Sequence, residues 1–399
     1  MDINSLKIRL SLLSSLRNLL DTPIISAYKA VLDAKTADDF TNNYASLCHK
    51  IYNTGDACVS VLNDISCDEN ALTANLENPN QDIVNSVTLD LQTISEILKI
   101  KTKDFNKYIK NTFPELTSCS DFMPNLPKCK EFPFSKCSEL LEHYKTNGFG
   151  FFAKASSFTV NENGKILPVL CPDTITLKDL KGYQRQRGQV IANTVAFLNK
   201  KPANNILLYG DKGTGKSSTV KAVAHDYADK GLKIIELSPR QIHVFPKICE
   251  LAKNSPYRII VFMDDLSFDR EDDNFATLKA FIEGGLTGKP ENVLLYATSN
   301  RRHLIRESFS DRQGDDIHVR DTLETITSLS DRFGLEITFS VPDKDEYLYI
   351  VSELAQSYNL DIAEDKLNML AERFALRRNG RSPRTAQQFI RYMLIQENI

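Results

Sequence analysis

No two of the eight cysteines, at positions 48, 58, 67, 119, 129, 137, 171 and 249, form a CxxC pair. The paired-thiolate spacing of structural zinc sites is therefore missing. The one dense group, Cys119, Cys129 and Cys137, has only His143 near it in sequence. Scattered cysteines of this kind read as free, half-buried thiols in a reducing cytosol. No apolar run approaches the roughly 20 residues that cross a bilayer. At the N-terminus Lys7, Arg9 and Arg17 interrupt the leucines and no small-residue cleavage site follows, so no secretory leader is expected. An ordinary core helix is favoured there over a membrane-surface or targeting helix. A dominant charge is missing too. The net charge of −3 gives no global attraction to nucleic acid or to an anionic membrane, although a local basic patch stays open. Internal repeats and low-complexity stretches are also absent. What remains is 399 residues, 42% apolar and 25% charged, the make-up of a cytoplasmic globular protein of two or three domains.

Residues 1–147 carry helical periodicity. Phe40, Tyr44, Leu47 and Ile51 recur at helical spacing, as do Val84, Val87, Leu91, Ile94 and Leu98, and Leu6, Leu10, Leu13 and Leu16. Packing of these faces into a helical core is favoured over a partner-binding helical module. Pro114, Pro124, Pro127 and Pro133 mark a loop or linker, because proline lacks an N–H and disfavours helix in the residue before it. A small hairpin is expected around Ser157–Val160 and Lys165–Leu167, ahead of the main domain. From about residue 175 short apolar runs alternate with helices. Strands are expected at Ile206–Tyr209, Lys233–Leu237, Ile259–Met263, Val293–Thr298 and Leu335–Phe339, with a helix over Lys216–Asp229. Continuous apolar strands separated by helices predict an α/β fold with a parallel sheet covered on both faces. Past Pro342 the pattern is helical again, at 345–358, 363–376 and 383–396. The expected domains are thus 1–147, 148–342 and 343–399.

Gly210-Asp211-Lys212-Gly213-Thr214-Gly215-Lys216-Ser217 matches GxxxxGK[ST], with a strand before it and a helix after it. Glycines let backbone N–H groups turn inward around phosphate oxygens, and the helix N-terminus adds its positive end. Lys216 is expected to reach the β- and γ-phosphates of ATP, Ser217 to ligate Mg²⁺, and Ser218 to extend the cradle. The run Ile259–Met263 ends in Asp264-Asp265. Asp264 is the expected metal carboxylate, and Asp265 the group that orients the attacking water. Thr298-Ser299-Asn300 closes another strand, and Asn300 is a candidate contact to the γ-phosphate or the lytic water. Arg332, in Ser328-Leu329-Ser330-Asp331-Arg332-Phe333-Gly334, is either a finger completing a neighbouring subunit's site or half of a surface pair with Asp331. Arg384 follows Gly380-Arg381-Ser382-Pro383 at a helix start, which reads as a simple cap and as a phosphate contact. Arg301, Arg302, His303, Arg306, Arg312 and Arg320 make the next stretch basic. A solvated loop is the default there, against contact with nucleic acid or a neighbouring subunit.

These motifs, in this order, resemble the AAA+ superfamily of P-loop NTPases: Walker A, Walker B, sensor 1, arginine finger and sensor 2. From about residue 148 onward the chain is similar to an uncharacterised bacterial family, a domain of unknown function of the AAA+ kind. The residues carrying that likeness are Lys201–Gly210, Asp264–Phe268, Ala297–Leu304, Leu329–Gly334 and Asp345–Tyr347. The resemblance implies a five-stranded sheet, a helical lid from about 343, ATP and Mg²⁺ as ligands, and assembly into a ring or partial ring. It assigns Asn300 as sensor 1, Arg332 as the finger and Arg384 as sensor 2. It also makes Gly182 and Tyr183 candidate adenine contacts. Two departures stand out. The second Walker B acid is usually Glu and here is Asp265, whose shorter arm is expected to slow hydrolysis. The segment Ser238–His243 lacks the aromatic-apolar-glycine signature of substrate-threading pores. The Arg332 and Arg384 patterns look most like those of Holliday-junction motors and clamp loaders, a fold-level analogy only. The leading expectation is an ATPase that remodels a macromolecular partner, with a protein partner favoured. A slowly hydrolysing switch or scaffold and a DNA-associated loader are the alternatives.

Overall fold

The computed structural model describes residues 2–267, 277–279, 282, 290–300, 332–378 and 380–397. The chain divides into two compact units, Met1–Lys154 and Ala155–Ile399.

The first unit is helical: α1 (Ile3–Ser11), α2 (Pro23–Asp33), α3 (Ala37–Thr54), α4 (Ala57–Ser66), α5 (Gln81–Leu98), α6 (Thr102–Thr112) and α7 (Cys137–Asn147). The apolar faces read from the sequence meet in one core, which contains Phe40, Leu47, Ile51, Leu91 and Ile94. The leucine period at the N-terminus runs on past its helix. Leu6 and Leu10 lie in α1, but α1 stops at Ser11, and Leu13 and Leu16 are buried from a turn. The backbone N–H groups of Ser14, Ser15 and Leu16 donate instead to the Asp90 carboxylate on α5, at 3.2, 2.9 and 2.9 Å. A buried carboxylate thus takes the place of the next helical turn. The proline-rich segment is also more ordered than a linker. It opens with a 3-10 helix over Pro114–Phe122, where proline fits the first turn. It is then tied to α3 by the hydroxyls of Tyr44 and Tyr52, which donate to the carbonyls of Pro124 and Asn125 at 2.7 Å.

The second unit is α/β. Its strands are β1 (Ser157–Val160), β2 (Ile166–Pro168), β3 (Ile206–Gly210), β4 (Leu232–Glu236), β5 (Arg258–Met263), β6 (Val293–Ser299) and β7 (Leu335–Phe339). They form one sheet in the order β2-β1-β4-β5-β6-β3-β7. Among the described residues only the β1–β2 pair is antiparallel. The described residues thus give the sheet seven strands, not five. The five expected strands are contiguous, and the expected hairpin extends them. β1 runs parallel to β4 and satisfies the edge that β4 would otherwise leave bare. Gln241, within Ser238–His243, donates to the carbonyls of Val160 and Asn161 and anchors the hairpin turn.

α8 (Gln184–Leu198), α9 (Lys216–Asp226) and α10 (Phe245–Lys253) belong to the same unit as the sheet, and the expected Lys216–Asp229 helix ends three residues early. Asn204 and Asn205, just before β3, are structural: the Asn204 N–H donates to Asn193 on α8, and Asn205 Oδ1 accepts from the Leu295 N–H on β6. Three C-terminal helices, α11 (Lys344–Ser357), α12 (Glu364–Leu376) and α13 (Pro383–Glu397), share a core built on Tyr347, Ile350, Ala371 and Phe389. Asp343 caps α11 through the Glu346 N–H, and Ser382 caps α13 through the Thr385 N–H. No helix among the described residues is long and apolar enough to cross a membrane, and Cys48, Cys58, Cys119, Cys129, Cys137 and Cys171 are free thiols.

Candidate functional site

β3 is the interior strand that feeds the glycine loop, flanked by β6 and β7. Gly210 leaves it at φ 134°, where a Cβ would lie 2.1 Å from the Phe339 carbonyl oxygen. Only a residue without a side chain fits that turn. Gly213 (φ 80°) and Gly215 (φ 93°) complete the bend, and α9 begins at Lys216. Thr214 stiffens the loop by donating to the Asp211 carbonyl at 2.8 Å. The Asp211 carboxylate accepts from the Val341 N–H at 3.1 Å, which braces the loop against the segment following β7.

Lys216 is only 7% exposed. Its ammonium donates to the carbonyls of Gly210 (2.9 Å) and Asp211 (2.8 Å) and to Asn300 Oδ1 (3.3 Å). Burial pulls its pKa below the ordinary value, while the carboxylates of Asp211, Asp265 and Asp264 push the other way. Ser217 and Thr298 both donate to Asp264 Oδ1, each at 2.5 Å. The Thr298 hydroxyl also accepts from the Asp265 N–H at 2.9 Å. The Asn300 amide donates to Asp265 Oδ1, so Asn300 joins the ammonium to the second carboxylate. One hydrogen-bonded circuit thus links Ser217, Asp264, Thr298, Asp265, Asn300 and Lys216. Strand order explains it, since β6 lies between β3 and β5 and its polar end bridges their two loops.

Asp265 sits at φ 52°. Asp visits this left-handed region far more readily than most side chains, because its short arm bonds locally. Asp at this position thus coincides with a backbone that suits Asp.

These groups open into a cavity of about 390 Å³, a size within the roughly 300–1,000 Å³ of small-molecule sites. Residues 212–219, Asp264, Asp265, Asn300 and Arg384 supply a polar part of the lining. Ile175, Leu180, Gly182, Tyr183, Ile350 and Leu354 supply an apolar part, with the charged Asp179, Lys181 and Arg187 also among the lining residues. Tyr183 is also left-handed (φ 51°), an outlier for a bulky residue. It is held by its ring against Phe339, 5.1 Å between centroids, and by its hydroxyl, which donates to the Ser340 carbonyl. Tyr183 is thus a lining residue whose hydroxyl donor is already engaged. Arg384 reaches the site because its N–H donates to the Gly213 carbonyl at 3.2 Å, so the start of α13 packs directly on the loop.

Most expected site residues converge here, including Lys212, Gly213, Thr214, Gly215, Lys216, Ser217, Ser218, Asp264, Asp265, Asn300, Arg384, Gly182 and Tyr183. Gly210 and Asp211 shape the loop from behind and do not line the cavity. Arg332 is exposed and is not among the lining residues. The basic stretch from Arg301 through Arg320, and Leu329–Asp331 with it, lies outside the described residues. Sequence reasoning missed Ile350, Leu354, Arg187 and Gln387. The first two are apolar positions four apart on α11, a spacing that reads as core until the cavity is seen.

A mostly parallel α/β sheet whose interior strand runs through a glycine cradle into a helix defines a P-loop protein. The chain belongs to the family described as "Protein of unknown function (DUF815)", which matches residues 153–397. No curated protein matches it. Solved structures of the RuvB Holliday junction branch migration motor of Thermotoga maritima are similar at 15% identity and a TM-score of 0.38, covering 54% of this chain and 63% of that one. One variant of that protein gives 16% identity and the same coverage, and another gives 14% identity and a TM-score of 0.39, with 56% and 67% covered. This chain thus spans less than two thirds of the length of the first two.

Proposed function

We propose that this chain is a Mg²⁺-dependent ATPase of the AAA+ kind, which assembles with copies of itself and uses hydrolysis to remodel a macromolecular partner. The observation that carries the reading is the circuit joining Lys216 and Ser217 of the glycine cradle to Asp264, Asp265 and Asn300, all lining one cavity. The donor set suits magnesium. Ser217 and Asp264 offer hard oxygens, and Mg²⁺ takes one or two protein oxygens and fills its shell with phosphate and water. When bound, the ion supplies charge neutralisation at the phosphates. Lys216 holds the β- and γ-phosphates, moving from the loop carbonyls to their oxygens. Asn300 hydrogen-bonds the γ-phosphate or the attacking water, and Asp265 orients that water. Arg384 enters from the C-terminal helices, which act as a lid. The apolar part of the lining, with Gly182 and Tyr183, receives adenine. Arg332, exposed and outside its own cavity, suits a finger acting on a neighbouring protomer.

Calorimetry with Mg²⁺ and ATP, together with turnover assays, tests this. Wild type binds and hydrolyses ATP. Lys216→Ala loses binding, Asp265→Asn binds without turnover, and Arg332→Ala binds normally yet loses hydrolysis that depends on assembly. Absence of nucleotide binding by the wild type refutes the proposal, and normal turnover in Arg332→Ala refutes the finger. A second reading, a nucleotide switch that scarcely turns over, is favoured by the short Asp265 arm and its engagement by Asn300. A flat, near-zero rate with and without partners selects it.

A further inference from the structure

We infer that Arg187 is a positioning residue for the base-binding part of the cavity, a strut that sets the wall against which a purine packs; this rests on the nucleotide reading above. Arg187 lies in the first turn of α8 and lines the cavity. Its Nη1 donates to two carbonyls of the preceding segment, Leu180 at 2.6 Å and Leu177 at 3.2 Å. That segment is the base wall, running from Ile175 to Tyr183, and it contains no helix or strand of its own.

The rest of the wall is held at points that leave the middle to Arg187. Thr176 is fixed through its N–H and hydroxyl, which donate to the Asp179 carboxylate at 2.8 and 2.7 Å. The Leu177 N–H donates to Asp226 at the end of α9. Gly182 and Tyr183 then turn through two consecutive left-handed conformations, φ 74° and 51°. A Cβ on Gly182 would meet the Ile350 side chain at 2.7 Å, so the wall and α11 are in close contact there. The guanidinium joins the Leu177 carbonyl, inside the Asp179 turn, to the Leu180 carbonyl, just before the left-handed pair. Ile175, Leu180, Gly182 and Tyr183 of this segment line the cavity, together with Asp179 and Lys181.

Among the described residues the guanidinium makes no ion pair, and its buried Nε finds no hydrogen-bond partner, a cost that native structures rarely carry without a compensating role. Burial also lowers its pKa from the ordinary arginine range. A planar fork that bonds two carbonyls is a task lysine performs poorly, since its ammonium is a single point on a flexible stem.

The test compares ATP with tripolyphosphate, which has the phosphates and no base, as ligands of the full chain in Mg²⁺. Arg187→Gln is expected to weaken ATP affinity, and to raise KM, by about 10- to 100-fold while kcat at saturation stays within about twofold and tripolyphosphate affinity is unchanged. Arg187→Lys restores part of the ATP affinity. Lys216→Ala, by contrast, loses both ligands. Equal losses of ATP and tripolyphosphate in Arg187→Gln would make Arg187 a general scaffold residue and overturn the inference, as would unchanged ATP affinity. If Arg187→Gln unfolds, the Arg187→Lys comparison of the two ligands decides by the same criterion. Wild type that binds neither ligand rejects the nucleotide reading itself.

Discussion

Replacing Gly210 by alanine separates two costs that glycines in this loop carry. At φ 134° an L-residue is strained by about 1–3 kcal/mol. The added Cβ would also lie 2.1 Å from the Phe339 carbonyl oxygen and 2.7 Å from its carbon, both backbone atoms that no rotamer change can move. Relief requires the end of β7 to shift away from β3, an overpacking cost of about 1–3 kcal/mol. The sum, about 2–6 kcal/mol, is a large part of the roughly 5–15 kcal/mol that holds a domain together. Gly215→Ala is the control, since its φ is 93° but, chain neighbours aside, no heavy atom of the described residues lies within 4 Å of the new Cβ, leaving only the conformational cost of about 1–3 kcal/mol. Calorimetric unfolding of the full chain, with hydrogen exchange read on peptides covering 335–341, measures both. Gly210→Ala is expected to lower the transition of the second unit more than Gly215→Ala does, and to speed exchange in β7. Equal destabilisation by the two, or unchanged exchange in β7, would refute the steric argument.

Thr298→Val keeps the volume but removes the donor to Asp264 and the acceptor for the Asp265 N–H. The Mg²⁺ concentration for half-maximal ATP binding should rise on the order of tenfold, since hydrogen bonds to charged groups contribute about 1.5–3 kcal/mol; an unchanged Mg²⁺ titration counts against this role. Lys216 has a folded-state pKa depressed by burial, so the unfolded chain holds more protons in the window just below the ordinary lysine value, and stability rises with pH there. Phosphates reverse the shift, so ATP binding should take up a proton in that alkaline window and weaken as pH rises through it. Calorimetry in buffers of different ionisation heat detects the uptake, and no buffer dependence contradicts it. Asp90→Ala strands three N–H groups at the end of α1 and should cost about 2–4 kcal/mol in the first unit. A loss under about 1 kcal/mol would show that solvent replaces the carboxylate.

What the chain discloses in advance follows from how local each demand is. The glycine loop is legible because a tight backbone turn such as that at Gly210 forces residue types at fixed spacing, and the strands because their apolar runs are short and continuous. The end of α1 was not, because the group that replaces its next turn, Asp90, lies 76 residues from Ser14. Nor was the seventh-strand sheet: the hairpin reads from its own residues, but its choice of β4 as neighbour is a tertiary pairing that no local pattern encodes. Arg187 belongs to the same class. In sequence it is one polar residue in a helix start, Gln184-Arg185-Gln186-Arg187, and its use depends on two carbonyls that a left-handed turn brings back over it. Asp265 is the instructive middle case. Its identity read as a loss of reach, whereas its φ of 52° supplies a conformational reason for Asp that has nothing to do with reach. The same short arm that admits the left-handed turn puts the carboxylate on the Asn300 amide, so backbone geometry and the state of the second acid are set together. A Glu introduced there would have to meet both demands with a longer side chain, and Asp265→Glu is therefore not a simple gain of catalytic reach.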